Sequence, residues 1–110
     1  MMIQVRKTYR AVNPEMLYDV VRDLIAKQGL HVEHASIQTY SVSSGATQSR
    51  VTAPVRTPDG RALGSVHILG SSNNDARMAL ELDDAVVTPD AATAIQSDID
   101  FILGSYEAKW

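Results

Sequence analysis

The segment Ser49–Leu69 constrains this chain more than any other. It reads SRVTAPVR, then TPDG, then RALGSVHIL. Two alternating runs flank a turn with explicit chemistry. Pro58 pre-sets φ for the second position of a type I turn, Asp59 tolerates the bridge region that follows, and Gly60 takes a positive φ and closes a G1 bulge. These residues predict a β-hairpin. On the outgoing strand Ser49, Val51, Ala53 and Val55 share a face, against Arg50, Thr52, Pro54 and Arg56. On the return strand Ala62, Gly64, Val66 and Ile68 oppose Leu63, Ser65, His67 and Leu69. One face is apolar or small and the other polar, so the hairpin is expected to bury one side. Pro54 lacks the N–H that a ladder needs, which predicts a sheet edge or a bulge at that point.

The flanking chain supplies partners for this hairpin. Residues 2–11 alternate, with Ile3, Val5 and Tyr9 opposite Gln4, Arg6, Thr8 and Arg10, the pattern of a half-buried strand. Asn13 as N-cap and Pro14 at the first helical position open a helix over 14–28. Its stripe is Met16, Leu17, Val20, Val21, Leu24 and Ile25, and it stops at Gly29. Leu30 to about Ser41 reads as a strand, Val42–Thr47 as a loop, and Gly70–Asp75 as a turn. Ala76–Leu82 is a strand with Met78, Leu80 and Leu82 inward. Thr88-Pro89-Asp90 repeats the helix-start logic and predicts a helix over 89–106, with Ile95, Ile99, Ile102 and Tyr106 in its stripe. The order is β-α-β-β-β-β-α. This is an α+β class chain: a four- or five-stranded, mainly antiparallel sheet with two helices packed on one face, in two layers.

At 110 residues, with 45% hydrophobic and 21% charged side chains, the expectation is a single domain over 1–110 with an ordinary core. Cysteine is absent, which removes disulfide and thiolate chemistry and fits a reducing compartment. No apolar run has the length of a signal peptide core or a membrane span, so the expected setting is cytoplasmic, with no membrane partner.

The search for chemistry returns little. His31 and His34 are three apart on a predicted strand, so they face opposite ways and do not share a metal. His67 has no partner that the sequence supplies. No nucleophile elbow, dinucleotide fingerprint or phosphate-binding loop has the required spacing. Asp83-Asp84 and Asp98-x-Asp100 lack the spacing of a calcium loop. No catalytic residue, metal ligand or cofactor is assigned. Nucleic acid is not the expected partner, because aromatic residues make up 5% of the chain and its net charge is −3.

Two surfaces remain. Arg6, Arg10, Arg50 and Arg56 are candidates for an interaction face on the polar side of the sheet, with Tyr40 beside them. On the other side, the small residues near the hairpin turn leave room for an apolar pocket between sheet and last helix, lined by Gly64, Met78, Leu80, Ile99 and Ile102. The predicted order is similar to that of a shortened helix-grip domain, and also to cystatin-like folds. This resemblance is one of topology, and no site residue follows from it. The expected function is a non-enzymatic binding module that meets a second copy or another protein through the open sheet face or an edge strand. The alternative is a binder of a small apolar ligand.

Overall fold

The computed structural model describes residues 2–33, 38–41, 47–71 and 75–108, without the side chains of Tyr40 and Ser71. His34, most of the Val42–Thr47 loop and the tip of the Gly70–Asp75 turn lie outside the described residues. The elements are β1 (Met2–Arg10), α1 (Pro14–Lys27), β2 (His31–Val32), β3 (Gln38–Ser41), β4 (Thr47–Arg56), β5 (Ala62–Ser71), β6 (Asp75–Asp83) and α2 (Pro89–Leu103). A 3-10 turn, Gly104–Tyr106, follows α2. All strand pairs are antiparallel, in the order β1-β6-β5-β4-β2, and β3 pairs with β4 beside β2. The chain is thus an α+β fold, as the residue patterns predict. The expected second strand is divided into β2 and β3.

Local chemistry sets the helix ends. Asn13 Oδ1 accepts the Glu15 N–H at 2.7 Å, Pro14 occupies the first turn, and Gly29 at φ 78° ends α1. Thr88 Oγ1 accepts the Ala91 N–H at 3.1 Å to cap α2. The helix expected to reach residue 106 ends at Leu103 and tightens into the 3-10 turn. Both helices bury most of their stripes against one face of the sheet, but Met16, Ile102 and Tyr106, expected in them, are exposed. Leu17, Val21 and Ile25 from α1 and Ala92, Ile95, Ile99 and Leu103 from α2 join Val5, Tyr9, Val51, Val55, Val66, Ile68, Met78, Leu80 and Leu82 in one hydrophobic cluster. Gly70 lets the start of α1 approach the sheet, since a Cβ there would stand 2.5 Å from Pro14 Cγ. Among the described residues no helix is long and apolar enough to cross a membrane.

The hairpin turn forms as expected. The Gly60 N–H donates to Thr57 O at 2.9 Å, the Thr57 N–H donates to Arg61 O at 3.0 Å, and Gly60 has φ 91°. Two details differ from the sequence expectation. Val55 pairs with Gly64 but Arg56 pairs with Ala62, so Leu63 is an extra residue in a bulge. The bulge reverses the alternation: Leu63 turns into the core, 1% exposed, and Ala62 is exposed. The second correction concerns Pro54. β4 is not an edge strand, because β5 covers one side of it and β2 and β3 the other. Pro54 is tolerated where β2 ends. Its carbonyl accepts the Glu33 N–H at 3.0 Å, and the Glu33 carbonyl, which has no Pro54 N–H to accept, takes the Tyr18 hydroxyl at 3.3 Å.

Candidate functional site

Alternation fixes which side chains share the face away from the helices. It carries Gln4, Arg6, Thr8 and Arg10 from β1, and Asp75, Arg77, Ala79, Glu81 and Asp83 from β6. It also carries Ser65, His67 and Leu69 from β5, and Gln48, Arg50, Thr52, Pro54 and Arg56 from β4. Strand register sorts these into rows across the sheet. One row is Arg6, Ala79, His67, Thr52; the next is Thr8, Arg77, Leu69, Arg50. Together these rows form a concavity of about 560 Å³ whose lining includes Arg6, Arg50 and Arg77 and, among the described residues, no aspartate or glutamate. Ala79 is the short side chain between Arg6 and His67, which keeps the floor low there.

Acidic residues flank these rows. The row beyond Arg6 holds Gln4, Glu81, Ser65 and Pro54; the row beyond Arg77 pairs Arg10 with Asp75. Among the described residues, Arg6 and Arg77 make no ion pair with either carboxylate. Lys7, at the same concavity, is engaged elsewhere: its Nζ lies 2.9 Å from a Glu107 carboxylate oxygen and 3.7 Å from Asp100. The bond to Glu107 holds the Lys7 ammonium above the ordinary lysine range, against the opposing effect of burial.

His67 is fixed from both sides. Its Nδ1 lies 3.2 Å from Thr52 Oγ1 and its Nε2 2.9 Å from Ser65 Oγ. A hydroxyl donates or accepts, so both ring nitrogens stay satisfied whether the imidazole carries one proton or two. The chain Ser65–His67–Thr52 has a hydroxyl where nucleophilic triads have a carboxylate, so no charge stabilises an imidazolium formed by taking the serine proton. The arrangement supplies hydrogen bonds and orientation.

The four arginines expected on this face separate. Arg6 and Arg50 meet in the concavity. Arg10 lies at the far end of β1, opposite Asp75. Arg56 stands at the hairpin end, where it pairs with Glu33 and donates to the Gly60 carbonyl at 3.3 Å. Tyr40 contributes only backbone to the description. The interaction face expected from the sequence does not include Arg77, although the alternation of β6 turns it outward, and the sequence offers no partner for His67 because only cross-strand register places Thr52 opposite. The residues proposed for an apolar pocket differ in their surroundings. Met78, Leu80 and Ile99 are buried in the core, a Cβ on Gly64 would meet the Glu81 carbonyl oxygen at 1.8 Å, and Ile102 is 45% exposed.

Comparison with known proteins adds no family to this geometry: no family model, curated protein or solved structure matches the chain.

Proposed function

We propose that this chain is a binding module that holds an anionic partner on the open face of its sheet. The supporting observation is the meeting of Arg6, Arg50 and Arg77 around one concavity with no carboxylate side chain in its lining among the described residues. The chain as a whole has a net charge of −3, so long-range attraction does not draw a polyanion to it, and binding depends on this local cluster. The test is retention on immobilised heparin at low salt. Changing Arg6 and Arg77 together to glutamate is expected to abolish retention. Arg61→Glu, a charge change in the exposed hairpin turn, is expected to leave most of it. Equal loss from both would refute the reading.

A second reading, self-association, is supported by β1. Face-to-face pairing of two open sheets would set Arg6, Arg50 and Arg77 against their own copies, so the edge is the better contact. The Ala108 N–H donates to Thr8 O at 2.8 Å, which shows that Thr8 turns its backbone groups away from β6. In an antiparallel ladder alternate residues do the same, so Met2 and Gln4 present theirs outward, and no strand among the described residues pairs with them on that side. Two β1 edges paired about Gln4 would join two sheets into one. The apolar-ligand reading has no comparable support, since a ligand there would have to displace core side chains.

A further inference from the structure

On the reading that the open face binds anions, we infer that Arg6 and Arg77, with the Thr8 hydroxyl, form a site for one phosphate group, free or in a monoester. Arg6 pairs with Ala79 and Arg77 with Thr8, so the two arginines are diagonal neighbours on β1 and β6, with short side chains at the other two corners. Diagonal neighbours have Cα atoms roughly 7–8 Å apart, a span that long side chains bridge. Both arginines are exposed, and among the described residues neither makes an ion pair, whereas Thr8 and Ala79 between them are half-buried. Each guanidinium fork matches two oxygens of an oxyanion. A carboxylate, with two oxygens, fills one fork. A phosphate monoester has three terminal oxygens and a charge of about −1.5 to −2 at pH 7, which suits two forks and matches their summed charge. Arg50 lines the same concavity but is already engaged in an interaction of its own, and the site does not call on it.

The surroundings set the size of the group. Glu81 follows Ala79 on the same face of β6 and Asp75 precedes Arg77, so carboxylates stand at both ends of the pair along the strand direction. They oppose a run of linked phosphates more than a single group. Beside Ala79 and Arg77 stand His67 and Leu69 of β5. The His67 ring has both nitrogens hydrogen-bonded, to Thr52 and Ser65, so it meets a ligand as a fixed wall and not as a competing donor. With Leu69 it gives the organic part of a monoester a surface to lie on.

The experiment is a nuclear magnetic resonance titration of the isotope-labelled full chain with phenyl phosphate, orthophosphate and benzoate. Saturable shifts of the Arg6, Thr8, Arg77 and Ala79 amides are expected with both phosphates, at an affinity at least about fivefold above that for benzoate. Phenyl phosphate bound more tightly than orthophosphate identifies a monoester as the occupant, and equal or tighter binding of orthophosphate identifies free phosphate; either result supports the site. Arg6→Gln and Arg77→Gln are each expected to weaken phenyl phosphate about tenfold, as loss of a hydrogen bond to a charged group does. Arg61→Gln is expected to leave affinity within about twofold. Melting curves of each variant establish that the fold is kept. Both phosphates bound no better than benzoate, shifts confined to other parts of the chain, or unchanged affinity in either Arg6→Gln or Arg77→Gln overturns the inference. Heparin retention without phosphate binding also overturns it, but leaves the broader anion-binding reading standing. Absence of both heparin retention and phosphate binding removes both.

Discussion

Asp59 shows how a single side chain fixes the hairpin turn. The Thr57 hydroxyl donates to its carboxylate, Arg61 Nε lies 3.3 Å from the same group, and the Arg61 N–H donates to Thr57 Oγ1 at 3.0 Å. The Thr57 hydroxyl, aided by the Arg61 charge and opposed by desolvation, holds the Asp59 carboxyl below its ordinary value of 3.8. A carboxyl with a lowered folded-state pKa stabilises the fold above its unfolded value, and that contribution is lost as pH falls through the folded one. Asp59→Asn is therefore expected to lower the melting temperature slightly at neutral pH, with the gap from wild type closing below the ordinary carboxylate range. A gap independent of pH would contradict the assignment. Tyr9 presents a contrasting residue. It is 1% exposed, its hydroxyl has no hydrogen-bond partner among the described residues, and burial followed by the charges of Glu107 and Asp100 pushes its pKa up.

At the scale of elements, the β4–β5 hairpin is shaped by its bulge. One extra residue moves Leu63 into the core, a burial of about 2 kcal/mol for a leucine side chain. Gly64 follows the bulge, where β5 and β6 approach so closely that a Cβ would lie 1.8 Å from the Glu81 carbonyl oxygen and 3.1 Å from Leu82 Cα. Backbone atoms do not swing aside as a side chain end does. Gly64→Ala is expected to destabilise the fold by about 2–3 kcal/mol, the cost of forced overpacking, as read by urea denaturation. A change under about 0.5 kcal/mol, the range of an ordinary surface substitution, would show that the strands separate freely there. Small residues in this hairpin therefore permit close contact between strands, and at Gly70 between sheet and helix.

For the whole molecule, the sheet divides the charge. Lys7 and Lys27, on the helix side, tie to Asp100, Glu107 and Asp98. Arg6, Arg50 and Arg77 stand on the other side. The chain following α2 returns along part of the β1 edge, and among the described residues nothing pairs with the portion about Gln4. Self-association through that portion predicts a dimer by sedimentation velocity at high micromolar concentration. Gln4→Pro is expected to give a monomer with an unchanged circular dichroism spectrum, because the N–H it deletes points away from β6. A monomeric wild-type chain at that concentration would exclude this mode.

Much of the architecture follows from short-range rules written in the sequence. Asn13-Pro14 and Thr88-Pro89 start the helices, period-two runs make β1, β4, β5 and β6, and TPDG sets the hairpin turn. Each of these depends on residues within a few positions of one another. The same alternation placed Arg6 and Arg50 on the polar face. Tertiary structure decided what long-range pairing controls. The bulge that turns Leu63 inward depends on the register of β5 against β4. Pro54 sits inside the sheet because it lies where β2 ends and the Glu33 carbonyl beside it takes the Tyr18 hydroxyl instead of a proline N–H. Arg77 joins Arg6 and Arg50, while Arg56 is drawn to Glu33, because register alone determines which rows meet. Periodicity tells which face a side chain occupies. Which residues become neighbours on that face depends on pairings between strands far apart in the chain, and no local preference encodes them.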